Sequence, residues 1–163
     1  MPSVLSLWVK TDFLKNAVWI ICSECLKYVN PELYKSLNKE GIILEFCPEE
    51  KGQLVYGKIA SMIRSTNPKK IKVVTIDGSP HCFTLHAAVN EAIYILGKKV
   101  EKEHYVVVNG KDLVRITPEA VRVARYLSLV DKLIKENKWV LDELRKYSLE
   151  YKSAIDTGSA ELE

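Results

Sequence analysis

The chain has 163 residues, of which 47% are hydrophobic and 28% are charged, which is ordinary usage for one globular domain with a buried core. Its formal net charge of +3 is too small to indicate nucleic-acid binding. No run approaches the roughly 20 apolar residues of a membrane helix, and residues 1–14 lack the pattern of a signal peptide. We therefore expect a cytoplasmic protein, and its richness in Lys, Glu and Ile with a single glutamine suggests a thermophile.

Strand and helix signals alternate along most of the chain. Continuous apolar runs rich in β-branched residues predict buried strands, and a proline that follows Asn, Cys or Ser predicts a helix start. The predicted strands are 16–22, 42–46, 71–76 and 105–108, with a hairpin strand at 113–116 after the Asn109-Gly110 turn. The predicted helices begin at Pro31, Pro48 and Pro80, and a long helical region follows from Thr117 to about Tyr151 with a break near Asn137.

This β-α-β-α-β-α-β-(β)-α order predicts a three-layer α/β fold with a mostly parallel, flavodoxin-like sheet of four or five strands. We divide the chain into an N-terminal arm or short helix (1–16), a cysteine-bearing α/β domain (17–116), C-terminal helices packed on the same domain (117–155) and a frayed tail (156–163). The C-terminal helices carry more apolar surface than one sheet needs. They are candidates for docking another protein or a second copy of the chain.

The four cysteines follow the ends of three successive predicted strands. Cys22 ends the first strand and Cys25 lies in the loop after it, whereas Cys47 ends the second strand and Cys82 begins the helix after the third. Loops beyond the carboxyl ends of neighbouring parallel strands share one crevice, so the four thiols are expected to converge. Cys47 and Cys82 also lie at helix starts, which favour the thiolate form that binds metals. We therefore predict one shared metal centre.

The span of the strands bears on which metal this centre would hold. A zinc ion needs thiolate sulfurs about 3.8 Å apart, whereas ligands from three adjacent strands start across roughly 10 Å. An iron–sulfur cluster suits that span better and also accepts all-thiolate ligation. His81 and His86, beside and one turn beyond Cys82, are candidates for contacts around the metal or for an alternative ligand.

Two other functions for these residues stay open. One is a zinc-stabilised protein-interaction module, in which the metal has no redox role. The other is a thiol–disulfide redox enzyme that uses the Cys22-x-x-Cys25 pair, although the next predicted helix start, at Asn30-Pro31, is far downstream for that motif. The chain has no G-x-G-x-x-G after its first strand, no phosphate-binding loop and no nucleophile elbow.

The segments ICSEC, IILEFCPEE and IKVVTIDGSPHCFTLH resemble the iron–sulfur delta subunit of methyl-viologen-reducing hydrogenases. That family has a CxxC after its first strand, a cysteine after its second, and Gly-Cys-His-Pro-Gly-Asp-Cys-His after its third. Cys22 and Cys25 match the first pair, Cys47 the second site and Cys82 the last cysteine. The earlier cysteine of the third segment has no counterpart in this chain.

The resemblance covers about residues 17–96. It implies a [2Fe–2S] cluster that passes electrons between a hydrogenase or dehydrogenase and a heterodisulfide-reductase-type flavoprotein. A more distant similarity to the small subunit of nickel–iron hydrogenases implies a [4Fe–4S] cluster instead. In both cases the protein is expected to be an electron-transfer component of an oxidoreductase, with other redox proteins as its partners.

Overall fold

The computed structural model describes residues 1–52 and 55–158. The chain divides into two compact units, Met1–Val121 and Arg122–Glu163. The predicted tail at 156–163 lies outside the described residues from position 159 onward. Within the described ranges, no helix is long and apolar enough to cross a membrane.

The first unit contains a five-stranded sheet whose order confirms the flavodoxin-like prediction. Its strands are β1 (Val18–Ser23), β2 (Ile42–Phe46), β3 (Lys70–Ile76), β4 (Glu101–Val108) and β5 (Asp112–Ile116). They are arranged in the order β2-β1-β3-β4-β5. The first four strands are parallel, and β5 pairs antiparallel with β4. The α/β fold with a mostly parallel sheet is therefore as predicted.

The helices agree with the prediction in position more than in length. In the first unit they are α1 (Leu26–Val29), α2 (Pro31–Glu40), α3 (Pro48–Lys51), α4 (Val55–Thr66) and α5 (Pro80–Leu96). Then come α6 (Pro118–Val123), α7 (Leu127–Glu136), α8 (Trp139–Tyr147) and α9 (Leu149–Asp156). Where one long C-terminal helical region was predicted, the chain forms several short helices, with the predicted break at Asn137 and further breaks before Leu127 and at Ser148.

Two further differences concern the helices near the cysteines. The helix predicted from Pro48 ends at Gly52, which adopts a φ of 64° and therefore terminates the first turn. The short helix α1 directly after Cys25 was not predicted. In the N-terminal arm, 3₁₀ turns at Val4–Ser6 and Asp12–Leu14 each bury one apolar side chain.

Strand β1 carries side chains into two separate cores. Trp19 and Ile21 belong to the larger cluster, which includes residues of α4 and α5. Ile20 and Cys22 belong to a smaller cluster with residues of α1 and α2. Because side chains alternate along a strand, both faces of β1 are buried, which explains why its sequence is continuously apolar.

Local polar contacts fix the loops that lead into and out of these elements. The Asn30 side chain accepts a hydrogen bond from the backbone N–H of Leu33 at 3.0 Å and caps α2. The Asn109-Gly110 turn has φ values of 50° and 71°, as its hairpin prediction requires. At Gly41 a Cβ atom would lie 2.6 Å from the carbonyl oxygen of Val18, so only glycine allows β2 to start this close to β1.

Candidate functional site

A pocket of about 160 Å³ lies at the carboxyl edge of the sheet. The final residues of β1, β2 and β3 line it, namely Ser23, Phe46 and Ile76. Three cysteines join them, namely Cys25 in the turn after β1, Cys47 directly after β2 and Cys82 in the first turn of α5. The pocket therefore collects three thiols at the topological switch point, where open α/β sheets bind ligands. We refer to it as the three-thiol pocket.

The three thiols differ in their access to solvent. Cys25 is exposed, Cys47 is partly buried and Cys82 is buried. Partial burial raises the pKa of the Cys25 thiol, and negative charge on Cys82 and Cys47 raises it further. Thiolates at these positions thus repel one another, and a shared cation or cluster would relieve that repulsion.

Cys22 lies outside the three-thiol pocket. Its side chain is fully buried in the smaller core, on the opposite face of β1, because residues 22 and 23 of a pleated strand point in opposite directions. Burial, followed by the charge of Glu45, raises the pKa of Cys22 to about 12, so it stays a neutral thiol. Of the four cysteines predicted to converge, the pocket therefore collects three.

Glu45 explains part of the environment of Cys22. It is the neighbour of Cys22 on β2 and is itself buried. Its carboxylate accepts hydrogen bonds from Tyr34 at 2.6 Å and from Lys27 at 3.1 Å. A buried carboxylate with two donors has its hydrogen bonds satisfied without a metal.

Ser23 takes the place in the pocket that was predicted for Cys22. Its side chain is almost completely buried, and its Oγ lies 3.2 Å from the Sγ of Cys82. Ser23 lies on the same face of β1 as Trp19 and Ile21, because residue 23 continues their alternation along the strand.

Charged side chains lie around the three-thiol pocket. Lys51 of α3 binds Glu24 with a distance of 2.6 Å between Nζ and Oε2, and this contact lowers the pKa of Glu24. The predicted candidate His81 lines the pocket with its side chain half exposed, 4.0 Å from the carboxylate of Glu49. The Glu24–Lys51 pair joins the loop after β1 to α3, and thereby connects the segments that carry Cys25 and Cys47.

His86 does not line the pocket, although it is only one turn beyond Cys82. Its Nε2 lies 2.8 Å from the Thr75 hydroxyl, and its Nδ1 lies 2.9 Å from the Nδ1 of His104. The Nε2 of His104 is in turn 3.2 Å from the Oδ1 of Asn90. Burial, and then the charge of His104, lowers the pKa of His86 to about 3, so the ring is neutral. His104, which no sequence motif indicated, completes this buried pair.

The spacing of the donors bears on which metal group the pocket fits. In the described part of the chain, no three Cys, His, Asp or Glu side chains are gathered closely enough to hold one metal ion. The protein ligands of a polynuclear cluster bind different metal atoms and therefore lie further apart than the ligands of one ion. The three thiols of the pocket are therefore not arranged as a site for one zinc ion in the described residues.

Comparisons with known proteins bear on the fold. A family model described as a Rossmann-like domain matches residues 11–161. An uncharacterized protein from Archaeoglobus fulgidus is 30% identical over 99 residues, which make up 60% of this chain and 69% of the relative. No solved structure matches the chain.

Proposed function

The chain belongs to the Rossmann-like domain family, and on that premise we propose that it is an iron–sulfur electron-transfer protein. Cys25, Cys47 and Cys82 would hold the cluster in the three-thiol pocket. The observation that carries the proposal is that these side chains, from three separate segments of the chain, line one cavity at the carboxyl edge of the sheet. Thiolate ligation is typical of iron–sulfur clusters.

Nucleotide binding, which many Rossmann-like folds support, has little basis in this pocket. Dinucleotide sites use glycines in the first βα turn, so that the pyrophosphate can approach the backbone and the start of the next helix. Here that turn reads Ser23-Glu24-Cys25, and α1 after it has only four residues.

The surroundings of the pocket support the binding of a negatively charged group. Helix α5, with seventeen residues, begins beside the pocket, and Ser79 caps it by accepting a hydrogen bond from the backbone N–H of Cys82 at 3.3 Å. The positive end of this helix dipole would favour a negatively charged group bound in the pocket. The apolar side chains of Phe46 and Ile76 limit the entry of water on the inner side. A cluster bound there would supply one-electron chemistry.

The proposed partners follow from the resemblance described above. We propose that the protein is a subunit or partner of a hydrogenase or heterodisulfide-reductase-type complex. The exposure of Cys25 supports this role, because a ligand at the surface shortens the distance to a redox partner. The use of the C-terminal helices for docking or for a homo-oligomer stays a prediction.

The proposal is tested by loading the protein with iron and sulfide without oxygen. We expect brown protein with charge-transfer absorption, stoichiometric iron and acid-labile sulfide, and an electron paramagnetic resonance signal on reduction with dithionite. Cys47→Ala should lose most of the iron, because it removes one ligand. Cys22→Ala is the matched control, since Cys22 lies outside the pocket, and it should keep the iron.

Colourless wild-type protein without iron after careful anaerobic loading would refute the proposal. Stoichiometric zinc, with loss of the fold on chelation, would support the zinc-stabilised module instead. The thiol–disulfide alternative requires that Cys22 reacts with Cys25, and the burial of Cys22 in the smaller core argues against it.

A further inference from the structure

We propose that the fourth side chain that acts on a cluster in the three-thiol pocket is Ser23, and not Cys22. In this proposal the Ser23 hydroxyl donates a hydrogen bond to the sulfur of Cys82. This inference rests on the proposed function, since its main consequence is a change in the reduction potential of a cluster bound through Cys82. Ser23 is a positioning residue in this account, because it acts through Cys82.

The position of Ser23 in the sheet supports this role. Strand β1 lies between β2 and β3, so its last residue lies between the loop that carries Cys47 and the helix start that carries Cys82. Ser23 pairs with Phe46 in the register of the sheet, and both residues line the pocket. No other strand of the sheet has neighbours that lead into both of these cysteines.

The burial of Ser23 makes its hydrogen bond significant. Its side chain is 1% exposed, and a buried hydroxyl without a partner would cost about 1–3 kcal/mol. The partner within reach is the Sγ of Cys82, at 3.2 Å. Either atom can donate when Cys82 is a neutral thiol. A metal-bound thiolate has no proton, so in the loaded site the serine must be the donor.

This donor has a definite effect on redox chemistry. An electron supplied by a reductant increases the negative charge on the ligand sulfurs. A hydrogen bond to one of these sulfurs stabilises that charge and therefore raises the reduction potential. The bond also holds Cys82 against the end of β1, so that its sulfur faces the pocket.

The experiment compares Ser23→Ala, Ser23→Thr and Cys22→Ala with the wild type, each loaded with iron and sulfide without oxygen. Ser23→Ala should keep its iron but show a more negative midpoint potential and altered resonance g values, because the hydrogen bond to Cys82 is lost. Ser23→Thr keeps a hydroxyl and should restore the wild-type potential. Cys22→Ala should match the wild type in iron content, spectrum and potential.

Several results would overturn the inference. A wild-type potential and spectrum in Ser23→Ala would exclude the hydrogen bond. Loss of iron in Cys22→Ala would show that Cys22, and not Ser23, acts on the cluster. In either case the proposed function would survive. Absence of a cluster from the wild type would overturn both. If circular dichroism shows that Ser23→Ala is unfolded, Ser23→Val replaces it, because valine has the shape of threonine without the hydroxyl and should shift the potential in the same direction.

Discussion

The first two turns of α5 carry two polar groups of very different character. Cys82, in the first turn, borders the three-thiol pocket. His86, one turn later, is closed off by Thr75 on one side and by His104 on the other. All four ring nitrogens of the two histidines have a partner, including Asn90 for His104. In the first turn the polar atoms face a cavity, and in the second they face only each other.

This contrast shows how a functional site can be separated from architecture on one helix. A buried polar group whose hydrogen bonds are all made rigidifies the packing, here of α5 against β3 and β4. A group with a reactive atom beside an open cavity is available for a ligand. Cys82 and His86 lie one turn apart, and from the sequence both were candidates for contacts with the metal. The sequence therefore does not distinguish the functional residue from the structural one.

The reactivity of the thiols should show the largest difference between a residue at the pocket and a residue that is enclosed in the core. In metal-free protein treated with iodoacetamide at pH 8, we expect fast alkylation of Cys25, which is exposed. With a pKa of about 12, only about one Cys22 in 10⁴ carries a thiolate at this pH, and burial blocks its access. Peptide mass spectrometry over time should show Cys22 reacting at least about 100-fold more slowly than Cys25. Equal rates would contradict the burial of Cys22.

The stability of the protein should decrease strongly when His86, which is enclosed in the second turn of α5, is replaced. His86→Leu removes the partners of Thr75 and of His104 and leaves buried polar atoms unpaired, so it should lower the free energy of unfolding by about 3 kcal/mol. Urea unfolding of the metal-free protein measures this loss. The matched control is His81→Leu, at a half-exposed position of the same helix, with an expected change below about 0.5 kcal/mol. Similar losses of unfolding free energy in His86→Leu and His81→Leu would refute the difference between the two positions.

The pH dependence of stability sharpens the same comparison on a smaller scale. The folded-state pKa of His86 is about 3, below its unfolded value of about 6.5, so the unfolded state binds the proton more readily between these values. The contribution is complete above pH 6.5 and is lost, by about 1.4 kcal/mol per pH unit, as the pH falls through this window. Unfolding curves between pH 7 and 5 should show a total loss of about 2 kcal/mol from this group in wild type and His81→Leu. A wild-type slope in His86→Leu would assign the effect to other groups.

Local signals in the sequence predicted much of the fold. The prolines after Asn30, Cys47 and Ser79 marked three helix starts, and the Asn109-Gly110 pair marked the hairpin. Failures occurred where the outcome depended on a single backbone torsion, as at Gly52, or on a helix too short to have a periodic pattern, as at α1. Such features involve too few residues to produce a recognisable pattern in the sequence.

The amino-acid sequence by itself determined that the cysteines lie near the carboxyl ends of three strands, because local composition indicates where strands and turns begin and end. Only the tertiary structure decided that Ser23, and not Cys22, faces the pocket. Since β1 is apolar on both faces, its sequence has no polar alternation that would tell one face from the other. The same holds for His86 and His104, which lie 18 residues apart and meet only because β4 pairs beside β3 under α5.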